Sequence, residues 1–373
     1  MQDNELATLW RQLKHSSDYA ARRAAADAAN ARQPMRKRGL AITPVKFGIS
    51  FNRTEYNQAG ALVHIYTDGS IQLNHGGTEM GQGLHTKMLS VAARTLGVSV
   101  ERLQIMVTAT DKVPNTSATA ASSGSDLNGQ AIRAACLTLR QRLAEIAALR
   151  LGGPASEVEF GADQIWLRSA PAERLGFVEL VQAAYSARVS LSATGYYRTP
   201  VIHWDGQRGQ GHPFYYYAWG AAVCEVELCG YTGVHRLLRV DLLHDVGDSL
   251  NPAIDRGQIE GGFVQGLGWL TSEELVTARN GRLLTDAPST YKIPTVGDVP
   301  EDFRVALYQR QQAPGTDVIF GSKGVGEPPL MLALAAREAL RDAVGAFGGS
   351  GPVTLASPAT PEALLRAIHA RRR

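Results

Sequence analysis

A chain of 373 residues is too long for one compact core, so the sequence predicts two or three lobes. Its net charge of +3 is too small to indicate a nucleic-acid partner or a charged membrane surface. Its three cysteines form no Cys-x-x-Cys pair, which excludes an iron–sulfur ligand set on this chain and favours the reducing cytoplasm. The sequence also lacks an apolar run of about 18 residues, the length that predicts a membrane-spanning helix.

The N-terminal residues 1–38 are predicted to form a linker helix. Leu6, Trp10 and Leu13 make a short apolar stripe at helical spacing, and the basic run 36–38 closes the segment. Because so short a basic run is weak evidence for a partner, we interpret the segment as a tether or packing helix.

A β-hairpin and a helix follow, joined by a glycine-rich turn. Alternation over 61–66, the turn 67–70 and the return 71–74 predict the hairpin. The glycines of 76–83 then lead into an amphipathic helix that ends at Gly97. Because the first N–H groups of a helix lack internal partners, this turn predicts a site for an anion or a closely approaching ligand. The alternative, a tight turn that serves only the fold, stays open.

Small and polar residues dominate the next loop, 113–126, before a helix from about Asn128. Such a loop is either disordered or lets its backbone lie against a ligand. The irregular, aromatic stretch 191–217 then predicts a lobe boundary near residue 200. The sequence thus divides into the linker helix, a first lobe over 39–200 and a second lobe over 201–373.

The order of hairpin, Gly-Gln and helix returns in the second lobe. Residues 221–243 repeat the hairpin and 257–268 repeat the helix, so we predict a weak internal duplication in an α+β fold of mixed strands and helices. Glycine costs roughly 1 kcal/mol per helical position relative to alanine. Pairs of glycines four residues apart in 257–268 therefore indicate a close neighbour on one helix face, which is either another helix or a bound cofactor.

Glu327 ends a glycine loop and precedes a helix predicted to start at Pro328, where proline suits the first helical position. Two interpretations of this carboxylate stay open. It either caps the helix or acts as a general base beside an anion site.

Several segments carry long and distinctive motifs, at 47–51, 57–62, 77–88, 114–117, 119–122, 192–196 and 324–329. Together they make the chain resemble the xanthine dehydrogenase family. The resemblance is to the C-terminal half of the large, molybdenum-cofactor-binding subunit, and it extends from one end of the chain to the other.

The resemblance implies a molybdopterin-binding domain in which no protein side chain bonds the metal directly. It implies that Glu327 is the catalytic base and that Phe51 packs against a flat purine. Asn52 stands where the family usually has threonine, so the orientation of the substrate stays open. The resemblance also implies a set of cofactor-binding residues: Gly81, Gln82, Ala120, Ala121, Gln130 and Gln265.

The implied activity is the oxidation of hypoxanthine and xanthine to urate with oxygen from water, in the cytoplasm and in an oligomer. The implied partners are the remaining N-terminal half of the molybdenum subunit and an iron–sulfur and FAD subunit that carries the [2Fe–2S] centres and the flavin. Because the resemblance assigns further substrate and cofactor residues to that missing half, we expect this chain to be incomplete alone. Two alternatives stay open: a related molybdenum hydroxylase such as aldehyde oxidase, and a cofactor-free structural fragment.

Overall fold

A computed structural model describes residues 4–310 and 317–372 of the chain. Its α-helices are Leu6–Ser16 (α1), Tyr19–Arg32 (α2), Leu84–Leu96 (α3), Gly124–Leu151 (α4), Phe177–Ser186 (α5), Pro252–Thr271 (α6), Leu334–Gly345 (α7) and Pro361–Arg372 (α8). A 3-10 helix, Pro328–Ala333, leads directly into α7. Of the helices in the described residues, none is long and apolar enough to cross a membrane.

The strands are Arg36–Ile49 (β1), Gln58–Ile65 (β2), Ile71–His75 (β3), Leu103–Ile105 (β4), Val158–Gly161 (β5), Gln164–Leu167 (β6), Ala170–Gly176 (β7), Ser192–Arg198 (β8), His203–Asp205 (β9), Gln210–His212 (β10), Tyr216–Cys229 (β11), His235–His244 (β12) and Asp302–Leu307 (β13). Two four-stranded sheets, ordered β4-β3-β2-β8 and β1-β11-β12-β13, build the two lobes. Smaller sheets of β5-β6-β7 and β9-β10 lie outside them.

The first lobe is a sheet covered by two helices. The predicted hairpin is confirmed, since β2 and β3 pair antiparallel, and β4 joins β3 in parallel. Apolar side chains alternate along the strands and point at α3 and α4, so Val63, Leu73, Met88 and Ile132 share one buried core. This packing fixes the turn between β3 and α3 at one end of the sheet.

The second lobe repeats this plan. Hairpin β11-β12 precedes α6, and β13 then joins β12 in parallel, as β4 joins β3 in the first lobe. Val226, Phe263 and Leu340 lie in the core between this sheet and helices α6 and α7. The repeated order of elements confirms the internal duplication.

The fourth strand of each sheet comes from a different place in the chain. Strand β8 follows the elements of its lobe, whereas β1 precedes them by more than 160 residues of sequence, and both run antiparallel to the first hairpin strand. A Cβ added at Gly195 of β8 would lie 1.9 Å from the Ala131 carbonyl oxygen, and one at Gly39 of β1 would lie 1.8 Å from that of Ala339. The same close approach of strand to helix therefore occurs in both lobes.

The N-terminal segment differs from the expected single linker helix over 1–38. Helices α1 and α2 pack on the second sheet, where Leu9 and Leu13 share a core with Trp219. Arg22 bridges the carboxylates of Glu225, at 2.9 Å, and Asp241, at 2.7 Å.

Strand β1 begins at Arg36 and pairs with β11 along its whole length, so it joins the second sheet rather than the lobe expected over 39–200. Its partner strand is distant in sequence, which local patterning cannot reveal. The division into domains, with a boundary near residue 200, stays a prediction.

Candidate active site

A cavity of about 260 Å³ lies where the two lobes meet. The first lobe contributes the turn before α3 and the loop before α4, and the second lobe contributes α6 and the segment before Pro328. The lining residues are Met80, Gln82, Leu84, Lys87, Thr119, Ala120, Ser122, Gly124, Ser125, Gln258, Lys323, Gly324, Val325, Gly326 and Glu327.

The glycine-rich turn before α3 holds an anion of its own. The Glu79 carboxylate accepts hydrogen bonds from the backbone N–H groups of Gly81 at 2.9 Å, Gly83 at 3.0 Å and His85 at 2.9 Å. Burial works to raise the pKa of Glu79, but these three donors outweigh it and lower the pKa below its ordinary value. The N–H groups that the sequence offered to an external anion are therefore bonded internally.

Gln82 closes the same turn and lines the cavity. Its side-chain oxygen accepts from the Met80 N–H at 2.6 Å, and its amide nitrogen donates to the Thr78 carbonyl at 2.8 Å. Gly81 has a φ of +99°, and a Cβ there would meet no protein atom within 4 Å. Glycine is therefore needed at this position for its backbone conformation, and it leaves bare backbone beside the cavity.

Two buried ion pairs lie at the cavity wall. The Lys87 ammonium is 2.5 Å from the Asp255 carboxylate and so joins α3 to α6, while Lys323 donates to Asp245 at 2.8 Å. A Cβ at Gly83 would lie 2.6 Å from Ile254, so the two lobes also touch closely here. The glycine turn thus serves the junction between the lobes.

The loop before α4 takes a strained path. Ala121 and Ser122 both have a φ of 55°, a left-handed conformation that costs a non-glycine residue about 1–3 kcal/mol. The Ser122 hydroxyl accepts from the Glu327 N–H at 2.8 Å. The sequence left open whether this loop is disordered or lies against a ligand. The structure shows it with a defined contact to Glu327, and Ala120 lies on the cavity wall.

Glu327 is exposed and faces this cavity. The helix predicted at Pro328 is confirmed, although its first turns are 3-10 in type. The Glu327 side chain makes no capping hydrogen bond to that helix. Its carboxylate is therefore not held by the helix it precedes, which argues against the capping interpretation.

Six residues expected at the site lie outside the lining of the cavity: Gly81, Ala121, Gln130, Gln265, Phe51 and Asn52. Gly81 and Ala121 each stand next to a lining residue in the sequence, whereas the other four lie further away. Gln130 is buried in α4 and donates to the Asp317 carbonyl at 3.2 Å, and Gln265 is exposed on α6. Phe51 and Asn52 follow the end of β1, where Phe51 stacks edge-to-face on Tyr56 at 5.7 Å.

The loop that carries Phe51 is ordered by a buried asparagine. The Asn57 side-chain oxygen accepts from the Phe51 N–H at 2.8 Å, and its amide donates to the Phe51 carbonyl at 2.9 Å. A Cβ at Gly324 would lie 3.2 Å from the Cδ1 atom of Ile49, the last residue of β1. Phe51 therefore lies two residues after Ile49, which contacts the Gly324 segment of the cavity wall.

Sequence reasoning missed Gln258, Lys87 and Lys323. Gln258 lies two helical turns before Gln265, on the same face of α6, and it is Gln258 that lines the cavity. The duplication could have identified it, because Gly257-Gln258 repeats Gly81-Gln82. No pattern in the sequence marked Lys87 or Lys323 as cavity residues, because their immediate neighbours are apolar or small.

Four of the five glycines of α6 form two pairs with different surroundings. A Cβ at Gly262 would lie 2.7 Å from Pro329 and one at Gly266 would lie 2.3 Å from the Leu330 carbonyl oxygen, so this pair packs on the 3-10 helix. At Gly257 and Gly261 a Cβ would meet no protein atom within 4 Å. The packed-helix interpretation is thus confirmed for one pair, and the other pair faces open space.

The model of the molybdopterin cofactor-binding domain family matches residues 12–300. The chain belongs to this family. Its relatives include xanthine dehydrogenase/oxidase of Felis catus, 47% identical over 97% of this chain, and xanthine dehydrogenase of Dictyostelium discoideum, 46% identical over 96%. Aldehyde oxidase 2 of Cavia porcellus is also 47% identical, over 90% of this chain. The chain spans about a quarter of the length of these relatives, 26%, 25% and 24% respectively.

Solved structures agree on the fold of this molybdopterin cofactor-binding domain. Quinoline 2-oxidoreductase from Pseudomonas putida 86 superposes with a TM-score of 0.84 at 25% identity, over 98% of this chain and 46% of that chain. A Cu,Mo-CO dehydrogenase superposes with a TM-score of 0.85 at 21% identity, over the same shares of the two chains. The second likeness is one of fold alone.

The donor set at the cavity fits the cofactor of this family. Its wall offers the amides of Gln82 and Gln258, the hydroxyls of Thr119 and Ser125, and the ammonium of Lys87. Amides, hydroxyls and an ammonium are groups that can donate hydrogen bonds to a pterin or an anionic substituent, and they are not the thiolate or imidazole ligands of a transition metal. In residues 4–310 and 317–372, no three His, Cys, Asp or Glu side chains converge to hold a metal ion.

Proposed function

We propose that this chain is the cofactor-binding and base-bearing part of a xanthine dehydrogenase-type molybdenum hydroxylase. The hydroxylase oxidises hypoxanthine and xanthine to urate with oxygen from water. The observation that carries the proposal is Glu327, an exposed carboxylate on the cavity wall whose side chain does not cap its own helix. When bound, the molybdenum cofactor supplies the redox centre that takes up the substrate's electrons.

The chain's own residues have two proposed roles, cofactor binding and proton acceptance. Gly81, Gln82 and Ala120 hold the cofactor from the first lobe, together with Ala121 of the strained loop. From the second lobe we add Gln258 on the cavity wall. Glu327 accepts the proton that must leave before oxygen can be transferred, because a carboxylate is the group at this wall suited to general-base work.

Gln130 and Gln265 stay proposed cofactor residues, reached only if the cofactor extends beyond the cavity described above. Phe51 packs on the flat face of the purine, and Asn52 hydrogen-bonds its edge. Both residues follow β1, whose end touches the Gly324 segment.

The remaining parts of the enzyme lie on other segments. We propose that these supply the N-terminal half of the molybdenum subunit, the [2Fe–2S] clusters and the FAD, and that the assembly is an oligomer in the cytoplasm. The share of the relatives' length that this chain spans supports the proposal, because about three quarters of each relative lies outside it.

An aldehyde oxidase is the second candidate function. Aldehyde oxidase 2 of Cavia porcellus is as similar to this chain as the xanthine dehydrogenase/oxidase of Felis catus, 47% identical in each case. The cofactor residues and Glu327 would serve both reactions, so the residues that meet the substrate decide between them.

The test expresses the chain with the missing segments of a xanthine dehydrogenase and measures bound molybdenum and turnover of xanthine and an aromatic aldehyde. We expect molybdenum and xanthine turnover in the assembly. Glu327→Gln should abolish turnover and keep the molybdenum, while Glu274→Gln, at an exposed glutamate on another surface, should change neither.

Each contrary result has a definite meaning. Turnover of the aldehyde but not of xanthine would favour the second candidate. Glu327→Gln with turnover within about tenfold of the parent, roughly 1.4 kcal/mol of barrier, would exclude Glu327 as the base. No molybdenum in the assembly would identify a structural fragment.

A further inference from the structure

Tyr216 connects the cavity segment to a buried carboxyl group. It is the first residue of β11 and is 4% exposed. Its hydroxyl oxygen accepts a hydrogen bond from the Gly324 N–H at 2.7 Å and lies 2.7 Å from Oδ2 of Asp126. Because a backbone N–H only donates, the single phenolic proton must be given to Asp126.

Asp126 lies in the first turn of α4 and is 8% exposed. Its Oδ2 accepts from Tyr216, and its Oδ1 is buried without a hydrogen-bond partner in the described structure. Burial raises the pKa of Asp126 to about 7, against the opposing effects of the Tyr216 hydrogen bond and the Lys87 charge. Protonation on Oδ1 leaves Oδ2 able to accept, so the contact with Tyr216 does not depend on the charge.

The contact acts on the segment that carries Glu327. Gly324 lies three residues before Glu327, and a Cβ there would lie 2.5 Å from the Ser122 carbonyl oxygen, so the segment fits closely against the loop. Ser122 binds the same segment at the Glu327 N–H. Two hydrogen bonds therefore anchor 324–327, one at each end. The Glu327 N–H bonds Ser122 directly, and the Gly324 N–H bonds Tyr216, whose hydroxyl in turn bonds Asp126.

We propose that Asp126 and Tyr216 form a positioning pair, which fixes the backbone of residues 324–327 and so aims the Glu327 carboxylate. Neither residue of the pair lines the cavity. The inference rests on the proposed function for its effect on turnover, but its effect on the backbone is independent of that function.

The experiment compares Tyr216→Phe with Tyr215→Phe in the full chain assembled with its missing segments. Tyr215 is the matched control, since its hydroxyl contacts only the Asp317 carbonyl, at 3.5 Å, among the contacts described for it. Tyr216→Phe removes the acceptor of the Gly324 N–H without changing side-chain shape. We expect hydrogen exchange at the amides of 323–327 to rise about tenfold in this variant and to stay unchanged in the control.

Turnover supplies the second readout. Displacing a catalytic group by about 1 Å costs on the order of a hundredfold in rate. Tyr216→Phe should therefore lower kcat by about that factor while KM stays within about twofold and the molybdenum content stays at the parent level. Asp126→Ala should behave alike, and Asp126→Asn should restore kcat because its amide oxygen still accepts from Tyr216.

The outcomes separate this inference from the proposed function. Unchanged exchange at 323–327 in Tyr216→Phe would overturn the positioning pair, whatever the turnover. Equal losses in Asp126→Asn and Asp126→Ala would also overturn it, because acceptance at this position would then not matter. Faster exchange in an assembly that turns over no purine would support the pair and reject the proposed function.

Discussion

The two lobes share an order of elements but contribute differently to the cavity. In each, an antiparallel hairpin leads into a helix and a parallel strand, and a glycine on the fourth strand touches a covering helix. The first lobe supplies the turn before α3 and the loop before α4, whereas the second supplies Gln258 and Glu327. The same order of elements thus provides both halves of the cavity wall. The two lobes differ in the loops that connect their elements rather than in their sheets.

The starts of α3 and α6 show this difference in detail. The α3 N-terminus is closed by Glu79, which accepts three backbone N–H groups from a glycine turn. The α6 N-terminus is closed by Asn251, whose side chain accepts from the Ile254 N–H at 3.2 Å. Both helices therefore satisfy their own first donors, and the cavity is built from side chains and loops around them.

The largest expected effect comes from separating the lobes at their buried ion pair. In Lys87→Met, Asp255 remains buried without its cation, which costs about 3–5 kcal/mol in the free energy of unfolding. Denaturant unfolding of the full chain measures the loss. Arg366→Met is the control, because the Arg366–Glu362 pair is exposed and such pairs contribute less than about 1 kcal/mol. Equal losses in both variants would contradict a role for Lys87 in joining the lobes.

Asp126, where α4 meets β11, should make the stability of the folded chain depend on pH. The groups that face it are Lys87 of α3, Tyr216 of β11, Tyr197 of β8 and Tyr215. Because burial raises the pKa of Asp126 to about 7 from its ordinary value of 3.8, the folded state keeps a proton that the unfolded state loses. Its contribution to stability is therefore full below about pH 4 and is lost as the pH rises to about 7.

Asp126→Asn removes this titration. The difference in free energy of unfolding between variant and parent should shift in favour of the variant by about 4 kcal/mol from about pH 4 to about pH 8. Unfolding at the two pH values measures it. A difference that is independent of pH would mean that Asp126 is ionised in the folded chain at neutral pH.

The equivalence of the lobes is tested at Gly39 and Gly195. Each Cβ would lie within 2 Å of a helix carbonyl oxygen, so alanine at either site forces strand and helix apart and costs about 3 kcal/mol. Gly176→Ala is the control, since a Cβ there meets nothing within 4 Å. Thermal unfolding measures the stability of all three variants. A large loss of stability at only one of the two sites would show that the strand–helix contacts of the two lobes are not equivalent.

The smallest expected effect lies within α6. Gly261→Ala should stabilise the full chain by about 1 kcal/mol, because alanine favours the helix and the site is open. Gly266→Ala should instead destabilise it, because its Cβ would lie 2.3 Å from the Leu330 carbonyl oxygen. Denaturant unfolding again gives the measurement. A loss of stability in Gly261→Ala would contradict the open face at that position.

Local patterns predicted those parts of the site that are continuous in sequence. The hairpin β2-β3, the glycine turn and the start of a helix at Pro328 all follow from residues within a few positions of each other. The family resemblance placed Gln265 at the cofactor, whereas Gln258, two turns earlier on the same helix face, is the glutamine that lines the cavity. Only the packing of α6 against the 3-10 helix, through Gly262 and Gly266, decides that.

The sequence by itself determined the family, the internal duplication and the identity of Glu327 as the carboxylate to examine, because these depend on ordered motifs and spacing. The tertiary structure alone decided that β1 joins the second sheet and that Asp126 and Tyr216 meet beneath Gly324. These contacts join residues far apart in the chain. Local spacing cannot specify them, because their partners come from elements that are distant in sequence and meet only in the folded chain.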